Sequence, residues 1–293
     1  MGGPASPEPE LLADYRCVTG EGPLWHPGEH RVYWVDIPAG KLFRYDPATG
    51  AHEQVYHAAG EAIGGFTIQA DGALLLFMTR GMIKTWREGE VATVIESIPA
   101  ELDSRFNDVH ADPEGRVYCG TMATPRHDGC LYRLDPDGTL TVVLEGVGIS
   151  NGMGFTPDLQ RLYYTDTRSR EISLFDYDRA TGALTNRRLF VRTPDGEGAP
   201  DGMTVDAEGY VWSARWDGGC LVRYAPDGSE VQRIAFPARK VSSATFGGED
   251  YADIYVTTAG GDDKAANGPG AGALFRLRLG IRGVPEFPSR IGL

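Results

Sequence analysis

Six stretches of this 293-residue chain close on the same kind of turn, at positions 27, 70, 113, 157, 207 and 248, separated by 43, 43, 44, 50 and 41 residues. No other feature limits the possible folds so sharply. A period of about 40–50 residues is that of one four-stranded propeller blade, and such a unit buries its apolar face only against neighbours. After each turn comes a run rich in Val, Tyr, Trp, Leu or Ile, at 31–36, 73–78, 116–120, 161–166, 210–214 and 253–257. In most units a second run follows, at 41–45, 129–134, 172–177, 219–224 and 272–277. These compositions suit half-buried strands. Several end on Asp-Pro or Pro-Asp-Gly, as at Asp46, Asp135 and Pro226, where Pro presets φ and Gly accepts a positive one.

With 39 Gly and 19 Pro, the chain favours many short strands over long helices. The expected fold is all-β, a six-bladed β-propeller in which residues 11–293 form a single domain after a disordered leader at 1–10. The blades are expected at 21–58, 62–96, 105–145, 150–193, 200–236 and 242–279, with the linking segments 97–104 and 193–200 at the mouth of the ring. The tail at 281–293 is broken by Pro285 and Pro288 and makes a poor strand. Residues 11–17 are therefore expected to pair onto the last blade as its outer strand, closing the ring and removing an exposed edge.

Several classes of function are disfavoured. No apolar run approaches the roughly 20 residues that span a bilayer, and the first ten residues carry Pro and Glu where a signal peptide has a basic start and an apolar stretch. A formal net charge of −13 repels nucleic acid and anionic membranes. Cys17, Cys119, Cys130 and Cys220 have no paired metal-ligand spacing and read as structural thiols of a reducing compartment, so a cytoplasmic location is expected. His26 and His30 flank Pro27-Gly28, which rules out a helical zinc pair; there is no Gly-rich phosphate loop. Trp216-Asp217 occurs once, so a repeat family built on that dipeptide is not supported.

The residue six places before each turn position carries the chemical signal. These positions are Glu21, Gly64, Asn107, Asn151, Asp201 and Ser242, four of them with amide or carboxylate oxygens. A lone Asn or Asp opening a strand is ordinarily a turn residue, but a fixed repeat offset places all six around one ring, because the innermost strand of every blade lines the central channel. Glu21, Asn151 and Asp201 would then aim oxygens at a common point. An oxygen-only set selects a hard cation, with calcium first and magnesium or manganese after it. Three protein ligands leave coordination places for water or substrate. Arg105, beside Asn107, could hold substrate oxygens by charge-assisted hydrogen bonds.

These residues stand in motifs that resemble the SMP-30/gluconolactonase/LRE-like family. The matching stretches are GEGPLW at 20–25, RFND at 105–108, GTM at 120–122, SNG at 150–152 and PDGM at 200–203, in order along 15–279. The resemblance implies a six-bladed propeller that hydrolyses sugar lactones. It implies one divalent metal, calcium ahead of manganese, magnesium, zinc or iron, held by Glu21, Asn151 and Asp201, with Arg105 and Asn107 on the substrate and Asp201 as general base. The expected partner is a small sugar lactone, and the expected assembly a monomer or dimer. Animal members carry a glutamate a few residues after GTM that contacts sugar hydroxyls; here Met122 is followed by Ala-Thr-Pro-Arg-His. Two other readings are a promiscuous metal-dependent esterase or phosphotriesterase on the same scaffold, and a non-catalytic calcium-binding propeller.

Overall fold

The computed structural model describes residues 8–293. Its strands are numbered in chain order. After β1 (Glu10–Asp14), the first blade pairs β2 (Gly20–His26), β3 (Arg31–Asp36), β4 (Lys41–Tyr45) and β5 (His52–His57). The second contains β6 (Ile63–Ile68), β7 (Leu74–Met78), β8 (Ile83–Arg87) and β9 (Glu90–Ile95). The third contains β10 (Phe106–Ala111), β11 (Val117–Thr121), β12 (Gly129–Leu134) and β13 (Leu140–Val147). The fourth contains β14 (Ser150–Phe155), β15 (Arg161–Asp166), β16 (Glu171–Asp178) and β17 (Ala183–Arg192). The fifth contains β18 (Ala199–Val205), β19 (Val211–Trp216), β20 (Cys220–Tyr224) and β21 (Glu230–Ala235). The sixth takes β22 (Val241–Gly247), β23 (Asp253–Thr258) and β24 (Ala273–Arg278) from one chain end and β1 from the other.

The ring closes as the sequence predicts. β1 pairs antiparallel with β24, Leu11 opposite Phe275 and Asp14 opposite Ala273, and Glu10 accepts two hydrogen bonds from the Arg276 guanidinium. The strand begins one residue earlier than expected and ends at Asp14, although Cys17 N–H still bonds the Gly272 carbonyl at 3.0 Å. Most of the expected leader, residues 1–7, lies outside the described residues.

Inner strands touch in a complete circuit: β2 on β6, β6 on β10, β10 on β14, β14 on β18, β18 on β22, and β22 back on β2. Six apolar clusters fill the six gaps between adjacent blades, so the core is a ring of wedges and not one central mass. Burial follows this plan. β14 and β22 are buried at every residue, whereas the outer strands β5 and β9 are largely exposed. The four cysteines are unpaired; burial pushes the Cys17 thiol up to about 12 and raises the others.

Glycine sets how closely the inner strands approach. A Cβ on Gly152 would stand 2.4 Å from the Met203 nitrogen and 2.8 Å from the Asp201 carbonyl oxygen. One on Gly64 would stand 2.0 Å from the Phe106 carbonyl oxygen. Backbone cannot yield as a flexible side-chain tip can, so Gly152→Ala is expected to lower stability by about 1–3 kcal/mol, the usual cost of overpacking. It also pushes β18, and with it Asp201, away from Asn151. A urea denaturation midpoint unchanged in this variant would show that the approach is looser than described.

The tail supplies no strand to the last blade. It crosses the channel at the end where the inner strands finish. Ala207 N–H bonds the Arg282 carbonyl, Gly283 N–H the Tyr251 carbonyl, and Arg290 N–H the Gly115 carbonyl. Ser289 is fully buried, bonded to Ile68 and to the Thr67 hydroxyl at 2.7 Å. The Gln69 amide brackets the backbone of Ile291, donating to its carbonyl and accepting from its N–H. Phe287 meets Phe155 edge-on in the fourth blade. This strap caps the far end of the channel.

Candidate active site

The six lead positions all lie at the first residues of their inner strands or directly before a register shift. In each blade the pairing of the inner strand with the next slips there, between Glu21 and Leu24, Ile63 and Gly65, Phe106 and Val109, Ser150 and Met153, Pro200 and Met203, and Val241 and Ser243. A bulge breaks the strict alternation of side chains and re-aims those beside it. Glu21, Asn107, Asn151 and Asp201 are all buried as a result, each 5% exposed or less.

Electrostatics place the carboxylates near one another. Burial raises the Glu21 carboxyl well above its usual range, and the charges of Asp201 and Asp108 raise it further. Asp201 is raised by burial and by Asp108, and lowered by the neighbouring Asn151 amide and Arg105. Asp108 is pushed up to about 7 by burial, against the pull of Arg105. Among the described residues, none of the three carboxylates forms an ion pair. Sequence reasoning set the Asp108 carboxylate at the same end of the third blade as Arg105 and Asn107 but gave it no role; the register shift between Phe106 and Val109 falls at this residue. Below the site a small void of about 40 Å³ is lined by Asp108, Met153, Met203, Ser243, His110 and Glu286, roomy enough to hold water.

Arg105 extends beside this group. Its guanidinium donates to the Phe106 carbonyl at 2.8 Å and to Asn107 Oδ1 at 2.7 Å. Burial lowers its pKa to about 10, which the charges of Glu21, Asp108 and Asp201 oppose, so it stays cationic at neutral pH. Asn107 Nδ2 donates to the Ser150 carbonyl at 2.7 Å and to Asn151 Oδ1 at 3.1 Å. The Asn107 amide therefore has only one free valence, the second lone pair of Oδ1.

The other lead positions serve the backbone. Gly64 admits the third blade, and Ser242 donates to the Gly20 carbonyl at 2.6 Å, next to Glu21. The Asp36 and Asp166 carboxylates each accept two N–H groups of the segment entering a site-bearing strand, Val18 and Thr19 in one case and Gly148 and Ile149 in the other. At the mouth, residues 97–104 are anchored by buried Glu101, which accepts from Thr121 and Tyr132 hydroxyls. The segment after Met122 is tied to this anchor by His127 Nε2 and Asp103 Oδ1, 2.9 Å apart.

The donor set fits a hard divalent cation. It offers oxygen atoms only, and it buries more negative charge than the one nearby guanidinium offsets. Among the described residues no cluster of three or more His, Cys, Asp or Glu side chains is poised for a metal, which is consistent with a set whose third donor is the Asn151 amide. A cleft of about 840 Å³ lies elsewhere, beside the first two blades, and its charges pair internally, Arg31 with Asp46 and Arg87 with Asp71.

The sequence profile of the SMP-30/Gluconolactonase/LRE-like region matches residues 19–260. The chain belongs to this family. Among its relatives is pentonolactonase XacC of Haloferax volcanii, 50% identical over 292 residues, covering 96% of this chain and 98% of that one. Regucalcin of Gallus gallus is 35% identical, covering 95% and 97%. A crystal structure described as the calcium-binding protein regucalcin of Agrobacterium tumefaciens superposes with a TM-score of 0.89 at 27% identity, covering 97% of this chain and 98% of that one. Four of the six lead positions, Glu21, Asn107, Asn151 and Asp201, fall within the stretches that resemble the family's motifs.

Proposed function

We propose that this protein hydrolyses a sugar lactone, a pentonolactone before others, to the open-chain aldonate. The observation that carries the reading is the pair of buried carboxylates, Glu21 and Asp201, without an ion pair and beside the cationic guanidinium of Arg105. The relative named a pentonolactonase, alike over nearly the full length, supports it ahead of the esterase and non-catalytic readings.

Glu21, Asn151 and Asp201 would hold one divalent cation, calcium first. Bound there, it would supply Lewis-acid polarisation of the lactone carbonyl. Arg105 donates to substrate oxygens with the guanidinium N–H groups that Phe106 and Asn107 leave free. Asn107 can only accept, so it selects a substrate hydroxyl. Asp201 takes a proton from the water that attacks the carbonyl carbon. The bond from that carbon to the ring oxygen then breaks, and the departing alkoxide takes up the proton. The product is a carboxylate, and one proton is released to solvent at neutral pH.

That proton provides the test. After EDTA stripping, pH-stat titration of pentono- and hexonolactones with Ca²⁺, Mn²⁺, Mg²⁺ or Zn²⁺ restored should show acid release that depends on the added ion. Acid release from none of the lactones with any ion, or faster turnover of a phosphotriester than of every lactone, overturns the reading.

A further inference from the structure

The polar contacts around Asn151 form a chain with one possible direction. It begins at Arg105, which can only donate, and donates to Asn107 Oδ1 at 2.7 Å. That contact turns Asn107 Nδ2 toward the Ser150 carbonyl, an acceptor only, and toward Asn151 Oδ1. Asn151 Nδ2 donates in turn to the Thr167 hydroxyl at 2.8 Å. Thr167 passes its own proton on to the Pro200 carbonyl at 2.7 Å, where the chain ends on another pure acceptor. A donor-only group at one end and a carbonyl at the other leave neither amide free to flip.

We propose that Thr167 is a positioning residue that holds the Asn151 amide with its oxygen toward the channel. It stands just past β15, and its N–H also bonds the Ile149 carbonyl at 3.1 Å. It couples two donors at once: the amide of Asn151 on the fourth blade, and the backbone immediately before Asp201 on the fifth. At the corresponding place after β3 in the first blade stands Ile37, which has no side-chain hydrogen bond to give. Removing the hydroxyl takes an acceptor from Asn151 Nδ2 and a donor from the Pro200 carbonyl in a part-buried site. The amide can then rotate, offering N–H where an oxygen donor is needed.

The inference rests on the cation reading above. On the EDTA-stripped protein, isothermal titration calorimetry with CaCl₂ and with MnCl₂ is expected to show Thr167→Val weakened by about 10–100-fold, the usual effect of losing a partner that orients a metal ligand. Thr167→Ser keeps the hydroxyl and should retain wild-type affinity, and saturating cation should restore most of the turnover of Thr167→Val. Should the valine variant fold poorly by circular dichroism, Thr167→Ala must show the same loss with the same rescue by serine. Wild-type affinity in the valine or alanine variant, or equal loss in the serine variant, overturns the proposal. If the wild type itself binds neither cation, the reading of the metal site fails and this inference falls with it.

Discussion

Glu21→Gln is expected to abolish cation-dependent turnover and, in the cation-free protein, to raise the melting temperature. The two effects have one cause. Glu21 is buried against Asp201 and Asp108 with no ion pair, and its only described hydrogen bond is from the adjacent Gly22 N–H at 2.8 Å. Glutamine keeps the volume and removes the charge. A carboxylate buried without an ion pair costs the folded state a few kcal/mol in lost hydration, so neutralising it in a chain of this size should raise the melting temperature by several degrees. With the cation present this advantage is offset, because a ligand bound only to the folded wild type adds about 2.7 kcal/mol at a hundred times its dissociation constant. Turnover should fall by at least about 10²–10³-fold, the loss seen when one preorganised electrostatic contact is removed. Differential scanning calorimetry with and without EDTA, beside the pH-stat assay, measures both. A variant that melts lower than wild type in EDTA, or that keeps wild-type turnover, contradicts the charge-offset account.

Ending the chain after Ile281 is expected to cost more stability than Gly152→Ala or any other single substitution in the ring. The removed segment buries Ile291 among the second and third blades, at about 1.5–3 kcal/mol for one such side chain. It also takes away the partners of Gln69 and the Thr67 hydroxyl, and unsatisfied buried polar groups cost about 1–3 kcal/mol each. A loss of about 5 kcal/mol or more should lower the melting temperature by over 10 °C. Ser289→Ala, which removes one hydroxyl from the same strap, should show a smaller loss of the same sign. A truncated chain that melts like the intact one would show the strap to be incidental.

Much of this architecture is legible in the sequence because a propeller repeats its instructions. The strands at 31–36, 41–45, 129–134 and 161–166 lie where their Val/Tyr/Leu runs place them. The lead positions fall at the bulged starts of the inner strands, and residues at the N-terminus close the last blade. Features that occur once leave no such trace. Asp108 stands at a register shift that suspends alternation, and no residue type announces that shift. The strap reads as a Pro-broken tail, since its bonds to Ile68, Gly115 and Tyr251 run through its backbone. Thr167 is an ordinary residue after a strand until the polarity of its neighbours gives its hydroxyl a direction.

The strap also governs traffic. Because it stoppers the channel opposite the site, arrivals and departures share one doorway, and an aldonate must back out before the next lactone enters. Substrate and product then take turns at the same end of the channel.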